Sequence, residues 1–281
     1  MNRRLYTAKI TRTNPTCLLF LVDQSGSMRL PFGRDQRIRK AEGVADAINR
    51  LLHGFVLKTT RGDDVLDRYF IGVFGYGKRV GSALGGDLAG QGLVPVSQIA
   101  EKPLRLEKRV KKVSDGAGGL VEAETRFPVW LDPVANSSTT PMCEALREAK
   151  KTVESFVTSC PAAFPPIVIN ITDGAASDGD PRPLADEIRG LSTEDGQVLL
   201  FNVHISSKEL PPIELPSREE GLPDKYARLL FRMSSMLPEQ MIQAARSMEL
   251  TVAEGARGFV FNADLVSVIQ FLEIGTQIEN Q

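Results

Sequence analysis

The chain is short of the groups that most often announce a chemistry. Its three cysteines, Cys17, Cys143 and Cys160, are an odd set among 281 residues and stand in no C-x-x-C spacing. That argues against a disulfide framework and against a cysteine-rich zinc site, and it fits a reducing compartment. Histidine is equally scarce, with only His53 and His204, so a serine or cysteine nucleophile would have few bases to activate it. Neither sign of charge dominates: 34 Lys+Arg face 35 Asp+Glu, a net charge of -1, which leaves no strong field for gripping nucleic acid or an anionic membrane. Long apolar runs are missing too. The start, MNRRLYTAKI, has a basic flank, but only Cys17 to Val22 follow as an apolar stretch, well short of a signal-peptide core or a membrane span. The expectation is a cytoplasmic protein with no nucleic-acid and no membrane partner.

What is present is ordinary globular material, 42% apolar and 25% charged, arranged in two alternating patterns. Cys17-Leu18-Leu19-Phe20-Leu21-Val22 is continuously apolar, short and β-rich, as a strand buried on both faces of a parallel sheet must be. Ile167-Val168-Ile169-Asn170-Ile171, residues 198–205, Phe259-Val260-Phe261 and residues 69–74 read the same way. Between them, Ile38, Ala41, Val44, Ala45, Ile48, Leu51 and Leu52 recur at helical spacing. So do Met142, Ala145, Leu146, Ala149, Val153, Phe156 and Val157, and the pattern returns over 241–248 and 265–272. Strands alternating with one-sided helices predict an α/β fold, a doubly wound, mostly parallel sheet with helices on both faces.

Two segments interrupt that alternation within what reads as one domain spanning 1–281. Residues 77–133, about 55 in all, are too many for an ordinary connection. Glycines crowd the front of this segment, the basic run Lys108-Arg109-Val110-Lys111-Lys112 follows, and short β-like pieces over 94–113 and 121–131 predict a hairpin on the sheet's edge. The basic run reads as a solvated face. Residues 206–238 open with prolines and close on a predicted helix over 225–236.

The chemistry-bearing residues gather after two of the buried strands. Asp23-Gln24-Ser25-Gly26-Ser27 follows the first; in an extended segment Asp23, Ser25 and Ser27 face one way, just outside the carboxyl end of a strand, where open α/β sheets place their ligands. Gly26 lets the backbone turn there. Thr172-Asp173-Gly174 ends the second strand, so a second carboxylate reaches the same edge if the two strands are parallel neighbours. Ser137-Ser138-Thr139-Thr140-Pro141 precedes a helical stripe, which makes Thr140 a candidate N-cap with its hydroxyl at a positive helix end. Two carboxylates with hydroxyls suit a hard divalent cation, Mg²⁺ or Mn²⁺.

This combination, D-x-S-x-S after an apolar strand, a threonine before a helix and T-D-G after another strand, resembles the von Willebrand factor A domain with its metal-ion-dependent adhesion site, in the stand-alone bacterial intracellular style. The resemblance implies Ser25, Ser27 and Thr140 as direct metal ligands and Asp23 and Asp173 as carboxylates acting largely through waters; lining up Ala145-Leu146 selects Thr140 over Thr139. It also implies a protein-binding module whose metal captures an Asp or Glu of a partner, with ATPases, kinases or phosphatases of stress, chaperone-like or anti-phage systems as neighbours.

Other readings compete. Asp23 beside a metal could be the nucleophile of a hydrolase or phosphatase, though Ser25 stands where a D-x-D-x-T phosphatase has its second aspartate and no G-x-S-x-G elbow surrounds the serines. A scaffold whose metal only stabilises its loops is the third. His53 reads as the end of a helix and His204 as a satisfied core histidine. Arg61-Gly62-Asp63 reads as a polar turn, Asp178 and Asp180 as solvated turn residues, and Cys17 and Cys143 as small buried hydrophobes, with Cys160 more exposed.

Overall fold

The computed structural model describes residues 5–32, 35–114, 120–174, 176–206, 210–247 and 249–262. Five strands form its spine: β1 (Thr16–Asp23), β2 (Tyr69–Tyr76), β5 (Ile167–Thr172), β6 (Leu199–His204) and β7 (Phe259–Phe261). They lie side by side in the order β7-β6-β5-β1-β2, all parallel, and they are the five that the apolar runs predict. Short antiparallel pieces close the edges, Ile213–Glu214 on β7 and both Val80–Ser82 and Val94–Pro95 on β2.

Every residue of β1, β5 and β6 is buried, because helices cover both faces. On one face Leu18, Phe20, Ile169, Ile171 and Val203 pack with α1 (Lys40–Thr59) through Val44, Ile48, Leu52 and Phe55, and with α5 (Glu239–Ser247) through Met241 and Ile242. On the other, Leu19, Leu21, Val168 and Leu200 meet α2 (Met142–Ser159), α3 (Arg182–Gly190) and α4 (Lys225–Met233) through Leu146, Val153, Ile188 and Leu230. Burying each such side chain contributes roughly 1.5–3 kcal/mol before entropy is counted. The arrangement is a doubly wound α/β sheet. Because the connection leaving β1 runs to β2 on one side and the connection leaving β5 runs to β6 on the other, the two depart in opposite directions, and the crevice outside β1 and β5 is the topological switch point where such sheets bind ligands.

Three boundaries differ from the sequence reading. Ile38 belongs to no helix; it lies in Asp35–Arg39, which pairs with Pro31–Phe32, and is exposed. The first helix runs on to Thr59, so His53 is inside it, edge-on to Phe127 at 5.2 Å, and does not end it. The hairpin expected within 77–133 exists as β3 (Arg105–Ser114) and β4 (Leu120–Val129), but it forms its own two-stranded ladder against α1 instead of extending the central sheet. Arg109 fastens it there, 2.6 Å from Asp46 and over the ring of Phe127, while Lys108 and Val110 remain in solvent. At its base, Trp130 N–H and Leu131 N–H donate to Asn49 Oδ1 of α1.

Arg61-Gly62-Asp63 is the turn between Thr60–Arg61 and Asp64–Val65, with Gly62 at φ +61. The helix expected over 225–236 is α4, which stops at Met233; it is capped by Asp224, whose carboxylate accepts from Tyr226 N–H and Ala227 N–H. The helix expected over 265–272 lies outside the described residues. Among the described residues no helix is long and apolar enough to cross a membrane.

Candidate functional site

Parallel pairing of β1 with β5, Val22 opposite Ile171, brings Asp23 and Asp173 to one end of neighbouring strands, as the two T-D-G and D-x-S-x-S signals require. Asp23 is fully buried. Its Oδ1 accepts the Ser25 N–H at 2.8 Å and its Oδ2 the Thr172 hydroxyl at 2.7 Å, so the carboxylate is oriented from both strands. Burial is the largest influence on it and raises its pKa; hydrogen bonds from Ser25 act the other way and the Asp173 charge adds to the rise.

Ser25 is extended, with φ -66 and ψ 165, and leads into a 3-10 turn over Gly26–Arg29. The segment is therefore not extended through Ser27, as alternation supposed, yet the two hydroxyls still meet, Ser25 Oγ to Ser27 Oγ at 2.9 Å. Gly26 is favoured for a different reason than a reversal of the backbone. Its N–H donates to Ser137 O at 2.6 Å, and a Cβ would sit 3.2 Å from that same oxygen. The contact is part of a parallel bridge between Ser25 and Ser137, to which Asn136 N–H adds a bond on Gln24 O at 3.1 Å. The threonine segment is thereby laid alongside the D-x-S-x-S loop.

Thr139 and Thr140 differ in what their hydroxyls do. Thr139 Oγ1 is engaged by Ser137 Oγ at 3.1 Å and Gly77 O at 3.4 Å. Thr140 is held by its backbone, the N–H on Ser177 Oγ at 2.8 Å and the carbonyl on Ser177 N–H at 3.0 Å. It is not the N-cap of α2: the helix starts at Met142, the preceding position is Pro141, and no side chain from that position caps it. The capping oxygen comes from Asp178, whose carboxylate accepts Cys143 N–H at 3.0 Å and Glu144 N–H at 2.9 Å. Asp178 is thus no mere solvated turn residue, and no local sequence signal links it to a helix that begins 36 residues earlier. Asp180 does lie in solvent, paired with Arg182.

Asp173, 14% exposed at its side chain, faces a partner the sequence reading missed. Lys40 Nζ lies 3.5 Å from its Oδ2, and the Lys40 side chain is 3% exposed. Gly174 follows at φ +101, where a Cβ would meet Tyr226 Cβ at 2.7 Å, so only glycine serves. Behind it stands His204, buried and stacked on Phe261 with 4.9 Å between ring centroids. The expectation of a satisfied core histidine fails, since neither ring nitrogen has a hydrogen-bond partner among the described residues. Burial pushes its pKa down to about 4, so the imidazole is neutral around pH 7.

Beneath the rim runs a buried polar ladder that the apolar strand patterns concealed. Tyr76 O–H donates to Asn170 Oδ1 at 2.8 Å, Asn170 Nδ2–H to Asn202 Oδ1 at 2.9 Å, and Asn202 Nδ2–H to Ser234 Oγ at 3.0 Å. It ties β2, β5, β6 and the end of α4 together one layer below the two aspartates. The cysteines are free, Cys17 and Cys143 buried and Cys160 half-buried. Among the described residues no three His, Cys, Asp or Glu side chains gather as a metal cluster; the site is two carboxylates with hydroxyls.

No family model matches the chain, and no curated protein does. Among solved structures it is similar to the manganese-loaded TRAP protein of Plasmodium vivax, at 16% identity and a TM-score of 0.44 over 92% of this chain and 72% of that one. It is also similar to an aerotolerance-related membrane protein from Bacteroides fragilis, at 11% identity and 0.44 over 94% and 98%. A third is proximal thread matrix protein 1 from the mussel byssus, with a zinc-occupied MIDAS motif, at 13% identity and 0.45 over 94% and 48%.

Proposed function

We propose that the switch-point crevice is a metal-ion-dependent adhesion site and that the chain is a binding module of the von Willebrand A kind. The observation that carries this reading is the pair of serine hydroxyls, 2.9 Å apart and set beside a fully buried, doubly hydrogen-bonded Asp23. Burying a carboxylate is costly unless a cation or strong donors compensate. The donor set on offer is all oxygen, which suits Mg²⁺ or Mn²⁺ and excludes a preference for soft metals.

In this reading Ser25, Ser27 and Thr140 hold the ion and Asp23 and Asp173 act through waters, the division the resemblance implies. The ion supplies an electropositive centre with ligand positions that a partner's Asp or Glu can take. The chain's own groups do the positioning. Thr172 and the Ser25 N–H fix Asp23, the Ser25–Ser137 bridge sets the threonine segment, and Asp178 anchors α2 directly behind Thr140.

Binding is favoured over catalysis because neither histidine is placed as a base for the serines. The serine hydroxyls contact each other, His204 is neutral around pH 7 and stacked on Phe261, and His53 packs against Phe127 of the hairpin. The partner would be a protein presenting an acidic residue, such as an ATPase, kinase or phosphatase of a bacterial stress, chaperone-like or anti-phage system, in the cytoplasm.

A pull-down from native lysate tests this, with Mg²⁺, with EDTA, and with Asp23→Ala as bait. Retention only by the unaltered protein with Mg²⁺ is the expected outcome. Equal retention in all three, with the metal raising only the melting temperature through binding to the native state, would instead make the ion a structural one.

A further inference from the structure

Lys40 stands where two separate costs oppose it. It is the first residue of α1, where the helix end is positive and an ammonium is disfavoured, and it is 2% exposed, which takes its charge out of water. The residue is also firmly placed, because its backbone N–H donates to Leu30 O at 3.0 Å and Leu30 N–H donates in turn to Ser27 O at 3.0 Å. A helix start is thus fastened to the turn that carries Ser27, and its ammonium is delivered to Asp173 Oδ2.

We propose that Lys40 is a tethered counter-cation of this site, holding Asp173 in the metal-free protein and opposing the entry of a divalent cation. The inference rests on the metal-site reading above. Charge counting shows the sense of the effect. Asp23 and Asp173 bring two negative charges, so a divalent ion alone would make the cluster neutral, whereas with Lys40 in place the same ion leaves one positive charge in a largely buried setting. Repulsion between like charges at short range and low dielectric is strong, so the ion binds more weakly than the carboxylates alone would allow, and the Lys40–Asp173 contact must loosen as it enters.

Mn²⁺ titration of the whole chain, followed by calorimetry and by the electron-spin-resonance signal of free Mn²⁺, tests this with Lys40→Met, which keeps the apolar stem, and with Lys40→Arg, which keeps the charge. Lys40→Met should bind Mn²⁺ about tenfold or more tightly than the unaltered protein, and Lys40→Arg, which keeps the positive charge, should stay within about threefold of it. Cooperative thermal unfolding confirms that each variant is folded; should Lys40→Met not fold, Lys40→Gln, which retains a donor for Asp173, carries the same expectation. Equal or weaker binding by the neutral variants, or tighter binding by Lys40→Arg as well, overturns the inference and leaves the metal reading standing. Absence of Mn²⁺ binding from all of them, the unaltered protein included, overturns both.

Discussion

The rim around Asp23 and the β3–β4 hairpin are both polar additions to an apolar core, and they are built on opposite terms. At the rim, charge is buried and every carboxylate has named partners: the Ser25 N–H and the Thr172 hydroxyl on Asp23, Lys40 on Asp173. In the hairpin the charge lies outward, and one guanidinium, between Asp46 and Phe127, holds the ladder to α1. Desolvated polar groups are expensive when a partner is lost, whereas solvated ones change little. The contrast sets what each region has to lose, and it ranks the substitutions that probe the two.

The largest effect should come from Asp23→Asn. It keeps the shape and removes the buried charge, and Mn²⁺ affinity should fall about hundredfold, at the upper end of what losing a ligand-supporting group costs. An affinity within a few-fold of the unaltered protein would mean the rim is polar for structural reasons alone.

His204 gives the next effect, on stability and not on binding. Its pKa lies at about 4 in the folded protein against about 6.5 in an unfolded chain. Above pH 6.5 the imidazole is neutral in both states and contributes nothing to the pH dependence. As pH falls from 6.5 toward 4 the unfolded chain takes up a proton that the folded one refuses, so stability declines, by about 3 kcal/mol in total. Urea unfolding in EDTA should show this decline in the unaltered protein and not in His204→Phe, whatever constant cost the larger ring brings. The raised pKa of Asp23 acts with the opposite sign, stabilising as pH falls, and is common to both proteins.

Below the rim, Tyr76→Phe removes one donor from the polar ladder and leaves Asn170 Oδ1 without it in a fully buried position. The expected cost is about 1–3 kcal/mol of unfolding free energy, read from the urea midpoint. A cost near zero would show that the ladder does not bear on the strands that carry the aspartates.

How much of this was legible beforehand depends on distance along the chain. The five parallel strands and the helices α1, α2 and α4 follow from local periodicity, since burial on one face or two is written into each segment's own residues. That Asp23, Ser25, Ser27 and Asp173 come together at one sheet edge was legible because each lies at or just beyond the end of such a strand. Asp178, Lys40 and the Tyr76–Asn170–Asn202 ladder were not. Their contacts join residues from 32 to 133 apart along the chain, and a lysine opening a helix, an aspartate in a turn or an asparagine in an apolar strand reads locally as an exception with no stated cause. Thr140 shows the same limit from the other side. Local rules made it a cap because proline follows it, but a remote carboxylate already holds the helix's first N–H groups, which leaves that hydroxyl outside the capping role.

The smallest effect separates the two regions most sharply. Arg109→Ala removes a half-buried ion pair with Asp46 and a cation over Phe127, contacts expected to be worth about 1 kcal/mol together. The urea midpoint should drop by that modest amount, because the Asn49 bonds to Trp130 and Leu131 still anchor the base of the hairpin. Mn²⁺ affinity should stay within about twofold, since the hairpin meets α1 at Asp46, well along the helix from Lys40 and its bond to Leu30. A larger loss of Mn²⁺ binding would show that α1 passes strain from the hairpin to the rim, and the independence of the two regions would then fail at the helix they share.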